Sequence, residues 1–245
     1  MELDHNIIST KANTLYAMKN LITHARIEKM YILRVKDYQK DGASVCREIQ
    51  ERFEGSRIVV RSSSSHEDCL KSSNAGHYKS ILVVDSAILS EIQSSIDEVI
   101  RSYETDMASI AQEQVLIQRQ AVDVCVSGVV FTRDLRENRP YYLVNFDDLG
   151  STDQVTSGRG GRMLWIARDV EQEQLELRWQ RLLLAVQEVE HIIEGIPLDI
   201  EFAIDSDNQV ILFQVRPLAA ANYHTASVDE GEFYQCKHRI KKEYE

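Results

Sequence analysis

The stretches LDIEFAI (residues 198–204) and VILFQVRP (residues 210–217) alternate apolar and polar side chains over most of their length. Such alternation is typical of β-strands that bury one face. The polar residues 205–209 between them favour a turn, so the sequence predicts a β-hairpin. The side chains expected to face a core are Ile200, Phe202, Ile204, Ile211, Phe213 and Val215.

The opposite face of this hairpin is polar. With a four-residue loop at 206–209, Glu201 lies opposite Gln214, and Asp199 lies opposite Arg216. Directly paired residues point to the same side of a sheet. Two carboxylates, an amide and a guanidinium would then share one surface, where the oxygens suit Mg²⁺ and the arginine suits phosphate. Taken alone, the hairpin favours the alternative of a solvent-exposed face with ordinary cross-strand ion pairs.

The composition of the chain is that of a globular protein. It has 245 residues, of which 43% are hydrophobic and 27% charged, and a formal net charge of −11. The acidic balance argues against general binding of nucleic acid or of an anionic membrane surface. The four cysteines lack CxxC spacing and are typical of reduced thiols, and the sequence has no apolar run of membrane-spanning length and no signal peptide. We therefore expect a cytoplasmic protein with no nucleic-acid or membrane partner.

Helical and strand-like patterns are mixed along the chain and predict an α+β fold with antiparallel strands. The predicted strand at residues 57–61 runs into a hydroxyl-rich, polar excursion at 62–76. A loop of this length in a compact domain is more often functional than idle. We expect two lobes, residues 1–113 and 114–218, and a polar tail at 219–245 that leads toward a further domain.

Five motifs, in order, carry a resemblance to a known family. They are KANTL (residues 11–15), VVRSSSSHED (59–68), AGHYKS (75–80), SGVVFTRD (127–134) and the pair DIE (199–201) and QVRPL (214–218). Together they resemble the N-terminal nucleotide-binding domain of the phosphoenolpyruvate synthase and pyruvate phosphate dikinase family. The resemblance covers residues 10–218 and implies an ATP-grasp fold, in which two lobes with mixed or antiparallel sheets and flanking helices enclose ATP.

The same resemblance implies roles for individual side chains. Lys11 and Arg61 would contact the phosphates of ATP, and Arg216 would clamp a phosphate during transfer, so these three are the expected catalytic residues. Glu201 and Gln214 would hold Mg²⁺ through oxygen. Further expected contacts with the nucleotide are Ser63, Gly76, Gln118, Arg133 and Asp199.

The family works by relay, and the resemblance implies the same chemistry here. The β-phosphoryl group of ATP passes to a histidine on a separate swivelling domain, with AMP and phosphate as products, and the histidine then delivers the group to an acceptor domain. The family's Thr-Ser-His motif does not occur in this sequence. The phosphohistidine domain and the acceptor domain are therefore expected as partners outside it.

Some positions depart from the usual family pattern. Ser9 and Thr10 stand where two glycines usually precede the lysine, and Leu135 stands where a proline is usual. The segment at 140–158 differs from the family's usual Gly-Leu-Gly-Glu segment and resembles that of synthase-like kinases such as glutamine kinase. The final acceptor stays open between pyruvate, the amide of glutamine, a sugar and an antibiotic hydroxyl. A stand-alone ATP-grasp ligase that forms an acyl phosphate and a non-catalytic nucleotide sensor are the alternative functions.

Overall fold

The computed structural model describes residues 7–64, 79–103, 107–134, 139–148, 161–194 and 196–218. The strands are β1 (Ala25–Arg26), β2 (Met30–Arg34), β3 (Arg57–Ser63), β4 (Ser80–Asp85), β5 (Gln114–Arg119), β6 (Val124–Phe131), β7 (Tyr141–Asp147), β8 (Arg162–Ala167), β9 (Leu198–Asp205) and β10 (Val210–Pro217). The helices are α1 (Lys11–Met18), α2 (Val35–Phe53), α3 (Leu89–Arg101), α4 (Met107–Ile110) and α5 (Leu177–Ile192), with a short 3₁₀ helix at Gln172–Gln174.

These strands form two sheets, each with its own hydrophobic core. The four-stranded sheet has the order β2-β5-β3-β4, and α2 and α3 pack on it. The six-stranded sheet has the order β1-β10-β9-β6-β7-β8, and α1 and α5 bury their apolar sides in its core. The predicted α+β fold with antiparallel strands is thus confirmed. None of the helices in the described part of the chain is both long and apolar enough to cross a lipid bilayer.

The two sheets do not divide the chain at residue 113, where the sequence suggested a boundary between lobes. Strand β5 follows that point but lies in the four-stranded sheet, between β2 and β3. Helix α1 and strand β1 precede it but belong with the six-stranded sheet, because the apolar side of α1 packs beside β10 and β1 pairs with β10. Apolar periodicity fixes the type of an element but does not show which sheet will cover its buried face.

Strands β9 and β10 form the predicted hairpin, joined by residues 206–209. Glu201 pairs with Gln214, and Asp199 pairs with Arg216, as the sequence analysis predicted. Paired residues share one side of a sheet, so these four polar side chains lie on the same face. That face is turned away from the core that α5 covers, where the intervening Ile200 is buried.

A β-bulge between Leu212 and Gln214 changes the orientation of one part of this hairpin. The extra residue of a bulge reverses the alternation of side chains along its strand. Val210 and Leu212 therefore join the core of the six-stranded sheet. Ile211 is fully buried. The prediction that Phe213 faces a core was wrong, because Phe213 lines a cleft between the sheets.

Glu188 of α5 tethers the loop that leads from α1 to β1. Its carboxylate accepts hydrogen bonds from the backbone N–H of Thr23 at 2.9 Å and of His24 at 2.8 Å, and from the Thr23 hydroxyl at 2.6 Å. Burial acts to raise the pKa of Glu188, but these hydrogen bonds outweigh it and the pKa is lowered. A group with a lowered pKa in the folded protein stabilises it above the unfolded-state pKa, about 4.3 for glutamate, and this contribution is lost as the pH falls through the folded value.

Glu188→Gln is accordingly expected to lower the free energy of unfolding by about 0.5–1 kcal/mol near neutral pH, after allowance for partial solvent exposure. The difference from the wild type should shrink as the pH falls from about 4.3, the ordinary pKa of glutamate, through the lower pKa of the folded protein, because the wild-type carboxyl progressively loses its charge. Urea unfolding of both proteins over a series of pH values measures this difference. A gap that stays constant down to about pH 3 would show that the carboxylate charge has no part in the tether.

Candidate functional site

A cleft lies between the two sheets. The four-stranded sheet, the segment that connects β5 to β6, and the strands β6, β9 and β10 all contribute to its wall. The lining includes Val59, Arg61, Gln118, Gln120, Gly128, Glu201 and Phe213. Gly128 is required by close strand packing, because a Cβ there would lie 2.3 Å from the backbone oxygen of Asn145 on β7. The cleft therefore brings part of the polar face of the hairpin together with residues that lie far away in the sequence.

Arg61 joins the two sheets across this cleft. Its Nη2 donates to Oε2 of Glu201 at 2.7 Å, and its Nη1 donates to the backbone carbonyl of Phe213 at 2.9 Å. The second contact uses the carbonyl at the β10 bulge. The side chains of Arg61 and Glu201 are only 13% and 17% exposed. The Arg61 guanidinium, from the four-stranded sheet, thus contacts the Glu201 carboxylate, which the sequence analysis assigned to a metal.

Glu201 is held as a carboxylate by the positive charges around it. Burial alone would raise its pKa, but nearby cations outweigh burial, and the pKa is lowered below the ordinary value. In order of decreasing effect these cations are Arg61, Lys11 and Arg216. Lys11 is itself buried, at the first position of α1. The buried Gln214 completes the pair with Glu201 across the hairpin.

Asp199 and Arg216 form a second pair one step along the same polar face. Both Nε and Nη2 of Arg216 donate to Oδ2 of Asp199, at 2.9 and 2.7 Å. Burial raises the pKa of Asp199, while Arg216 opposes this shift and Glu201 adds to it. The pair is mostly removed from solvent, so Asp199 fixes the orientation of the guanidinium through charge-assisted hydrogen bonds.

Two amide side chains in the cleft carry buried polar atoms without a partner. Nε2 of Gln118 and Oε1 of Gln120 have no hydrogen-bond partner among the residues that the structure describes. Gln118 ends the buried part of β5, and Gln120 follows that strand. Because burying an unpaired polar atom is costly, these two positions offer a donor and an acceptor to a ligand. Gln118 was predicted as a nucleotide contact, whereas Gln120 was not, since nothing in its sequence context separates it from an exposed glutamine.

The other expected nucleotide contacts lie in different surroundings. Ser63 is fully buried, and its Oγ accepts a hydrogen bond from the backbone N–H of Ala12 at 2.9 Å. Arg133 follows β6 beyond Phe131, the residue that pairs with Asp199. Gly76 lies outside the described residues. A direct contact between ATP and any of these three residues stays a prediction.

The donor set on the hairpin fits a magnesium ion bound together with a nucleotide. Mg²⁺ prefers oxygen ligands, and in nucleotide sites it usually takes one or two carboxylates and completes its shell with phosphate oxygens and water. Glu201 would supply a carboxylate to such an ion, and the paired Gln214 on the same face would supply an amide oxygen. No group of three His, Cys, Asp or Glu side chains forms a metal site within the described part of the chain.

The two sheets, their flanking helices and the cleft between them define an ATP-grasp fold. The chain is similar to D-alanine-D-alanine ligase from Helicobacter pylori, with 14% identity over 86% of this chain and 54% of that chain and a TM-score of 0.50. It also matches D-alanyl-alanine synthetase A from Vibrio cholerae, with 11% identity over 94% of this chain and 63% of that one and a TM-score of 0.49. At 14% identity the likeness to the Helicobacter pylori ligase concerns the fold alone. This chain spans only 54% and 63% of the length of these two proteins.

The sequence pattern of the family described as pyruvate phosphate dikinase, AMP/ATP-binding domain, matches residues 3–159. This match covers more than half of the chain, which therefore belongs to that family of ATP-binding domains. The resemblance found in the sequence motifs is confirmed at this level. A specific likeness to glutamine kinase stays a prediction. No curated protein matches the sequence significantly.

Proposed function

We propose that this ATP-binding domain binds Mg²⁺ and ATP in the cleft and donates the β-phosphoryl group of ATP to a histidine on a separate domain. The observation that carries this proposal is the Glu201 carboxylate in direct contact with Arg61, on the same face as the pair of Arg216 with Asp199. The positive charges of Arg61, Lys11 and Arg216 lower the pKa of this carboxylate. A triphosphate needs several fixed cations of this kind.

In this proposal each side chain of the site has a separate role. Glu201 and Gln214 would hold the metal through oxygen, and Lys11 and Arg61 would bind phosphate oxygens. Arg216, oriented by Asp199, stabilises the charge on the transferring group. The bound Mg²⁺ would supply further neutralisation of the phosphate charge. This distribution supports catalysis by positioning and electrostatic stabilisation, which are the main requirements of phosphoryl transfer.

The base of the nucleotide fits the other end of the cleft. Gln118 and Gln120 present buried amide groups beside the apolar surface of Val59 and Phe213. A purine offers both hydrogen-bond donors and acceptors along its edge and flat apolar faces. Binding there would satisfy the amide atoms and place the phosphates toward Arg61 and Glu201.

The reaction requires partners beyond the described residues. In the proposed step the histidine takes the β-phosphoryl group, water takes the γ-phosphoryl group, and AMP and inorganic phosphate are released. The histidine then passes the group to an acceptor such as pyruvate or the amide of glutamine. We place the protein in the cytoplasm, a location that its four cysteines favour, since they are well separated in the sequence and lack CxxC spacing.

Label transfer tests this function. The chain is mixed with a separately produced phosphohistidine domain and with ATP labelled at either the β- or the γ-phosphorus. We expect β-label on the histidine domain, γ-label in inorganic phosphate, and AMP as the nucleotide product. A histidine domain whose histidine is replaced by alanine should stay unlabelled.

The same assay separates the alternatives. Formation of ADP that depends on a carboxylate substrate, without a labelled histidine domain, would identify an ATP-grasp ligase. Binding of ATP without turnover under either condition would identify a nucleotide sensor. Either result would contradict the proposed phosphoryl relay.

A further inference from the structure

Helix α1 is attached to both sheets, to one by apolar packing and to the other by hydrogen bonds. Its apolar residues Ala12, Leu15 and Met18 are completely buried in the core of the six-stranded sheet. Its first turn, in contrast, is hydrogen-bonded to strands of the four-stranded sheet. Lys11 opens this turn and is only 4% exposed. The position of the Lys11 ammonium relative to the cleft therefore depends on how the first turn is fixed.

A buried chain of hydrogen bonds fixes the residue that follows Lys11. The backbone N–H of Ala12 donates to Ser63 Oγ at 2.9 Å, and the backbone N–H of Ser63 donates to the Tyr103 hydroxyl at 3.1 Å. The Tyr103 hydroxyl in turn donates to the backbone carbonyl of Gln114. The chain runs from the helix through the end of β3 to the start of β5.

The side chain of Gln114 fixes the residues on both sides of Lys11. The Thr10 hydroxyl donates to Oε1 of Gln114 at 2.8 Å, and Nε2 of Gln114 donates to Oδ1 of Asn13 at 3.3 Å. Thr10 also caps the helix by accepting from the backbone N–H of Asn13 at 3.3 Å. The backbone around Lys11 is thus tied to β5 as well as to β3.

We propose that Tyr103 and Ser63 are positioning residues that hold Lys11 at the nucleotide phosphates. The inference rests on the proposed binding of ATP in the cleft. Ala12 is hydrogen-bonded to Ser63, which lies two residues beyond Arg61 on β3, so the first turn of α1 lies beside the end of the cleft where Arg61 contacts Glu201. Displacement of a charged group by a small distance weakens its interaction with a phosphate, and a fixed helix start prevents this displacement.

Tyr103→Phe tests the proposal, because it removes the hydroxyl and keeps the buried ring. We expect the dissociation constant for Mg·ATP, measured by calorimetry on the full chain, to rise about fivefold, the effect of losing one buried hydrogen bond. In a Lys11→Gln background the same change should alter the constant by less than about twofold, since there is no ammonium left to position. Ser63→Ala is expected to behave in the same way as Tyr103→Phe and provides a second test if the latter does not fold.

Tyr38→Phe is the matched control. Tyr38 belongs to the same hydrophobic cluster as Tyr103, and its hydroxyl donates to Oδ1 of Asp97 at 2.8 Å, away from α1. This variant should bind Mg·ATP as the wild type does. An equal loss of affinity from Tyr103→Phe with and without Lys11, or an equal loss in Tyr38→Phe, would overturn the positioning role. Failure of the wild type to bind Mg·ATP would instead contradict the proposed function itself, and with it this inference.

Discussion

Glu201→Ala is expected to reduce phosphoryl transfer by at least about a hundredfold, the effect of removing one electrostatic stabiliser from a site of this kind. Arg61 contacts the Glu201 carboxylate directly. The charges of Lys11 and Arg216 also lower the pKa of this carboxylate. Without it the metal would lose its charged protein ligand. Arg216→Ala should cause a loss of similar size, because a guanidinium fixed by two hydrogen bonds to Asp199 cannot be replaced by a mobile cation. The rate is measured as transfer of β-label to the histidine domain in a single turnover.

Arg168→Ala is the control for both variants. Arg168 forms a bidentate pair with Glu190, with both distances 2.9 Å, and this pair is about as buried as that of Arg216 with Asp199. Glu190 lies on α5, on the face of the sheet opposite to the hairpin's polar side chains, and it also accepts from the Tyr142 hydroxyl. Loss of this pair should affect stability and leave the transfer rate of the folded protein close to that of the wild type. Near wild-type transfer in Glu201→Ala or Arg216→Ala would refute the assignment of the site.

Arg61→Gln is expected to change the affinities for metal and nucleotide in opposite directions. In the structure the Arg61 guanidinium is hydrogen-bonded to the Glu201 carboxylate. A divalent cation must compete with it, whereas a bound nucleotide can draw the guanidinium to a phosphate. Without nucleotide, the variant should therefore bind Mn²⁺ about tenfold more tightly than the wild type. This estimate is a modest part, about 1.4 kcal/mol, of the Coulomb energy of a close ion pair that is partly exposed.

The same variant should bind ATP more weakly, because a phosphate contact is lost. Titration of Mn²⁺ followed by electron paramagnetic resonance measures the first effect, and calorimetry with Mg·ATP measures the second. Arg26→Gln serves as the control. Arg26 pairs at 2.9 Å with Asp205, which lies on β9 as Glu201 does, and the two variants change the net charge equally. Equal Mn²⁺ affinity in the wild type and in Arg61→Gln would show that the guanidinium does not compete for the Glu201 carboxylate.

The polar face of the hairpin was predictable from sequence, although the predicted register of the two strands near the turn was wrong. Glu201 pairs with Gln214 as expected, but near the turn Ile204 pairs with Val210, one residue away from the register of a four-residue loop. The bulge at Phe213 then shifts the register by one residue and restores the predicted pairs. Apolar alternation specifies the faces of a regular strand, but it carries no signal for an inserted residue. The carbonyl that Arg61 binds was therefore beyond sequence analysis.

The residues that support the site were harder to predict from the sequence than the motifs were. Tyr103 lies in no recognised motif, and its importance arises only because folding brings it beside Ser63 and Gln114. Gln118 and Gln120 gain their interest from burial without a partner within the described structure, a property that depends on tertiary packing. Ser63 was predicted from its motif as a ligand contact, and the observed bond to Ala12 gives it a structural role as well.

The dependence of ATP binding on metal tests the central claim most directly. Mg·ATP, and ATP in the presence of a chelator, are titrated into the wild type and into Glu201→Gln, which keeps the shape of the side chain and removes its charge. We expect the wild type to bind Mg·ATP at least about tenfold more tightly than metal-free ATP, and Glu201→Gln to lose most of this preference. A wild type that binds both forms equally, or a Glu201→Gln variant with an undiminished preference for Mg·ATP, would contradict the placement of the metal and nucleotide on this hairpin.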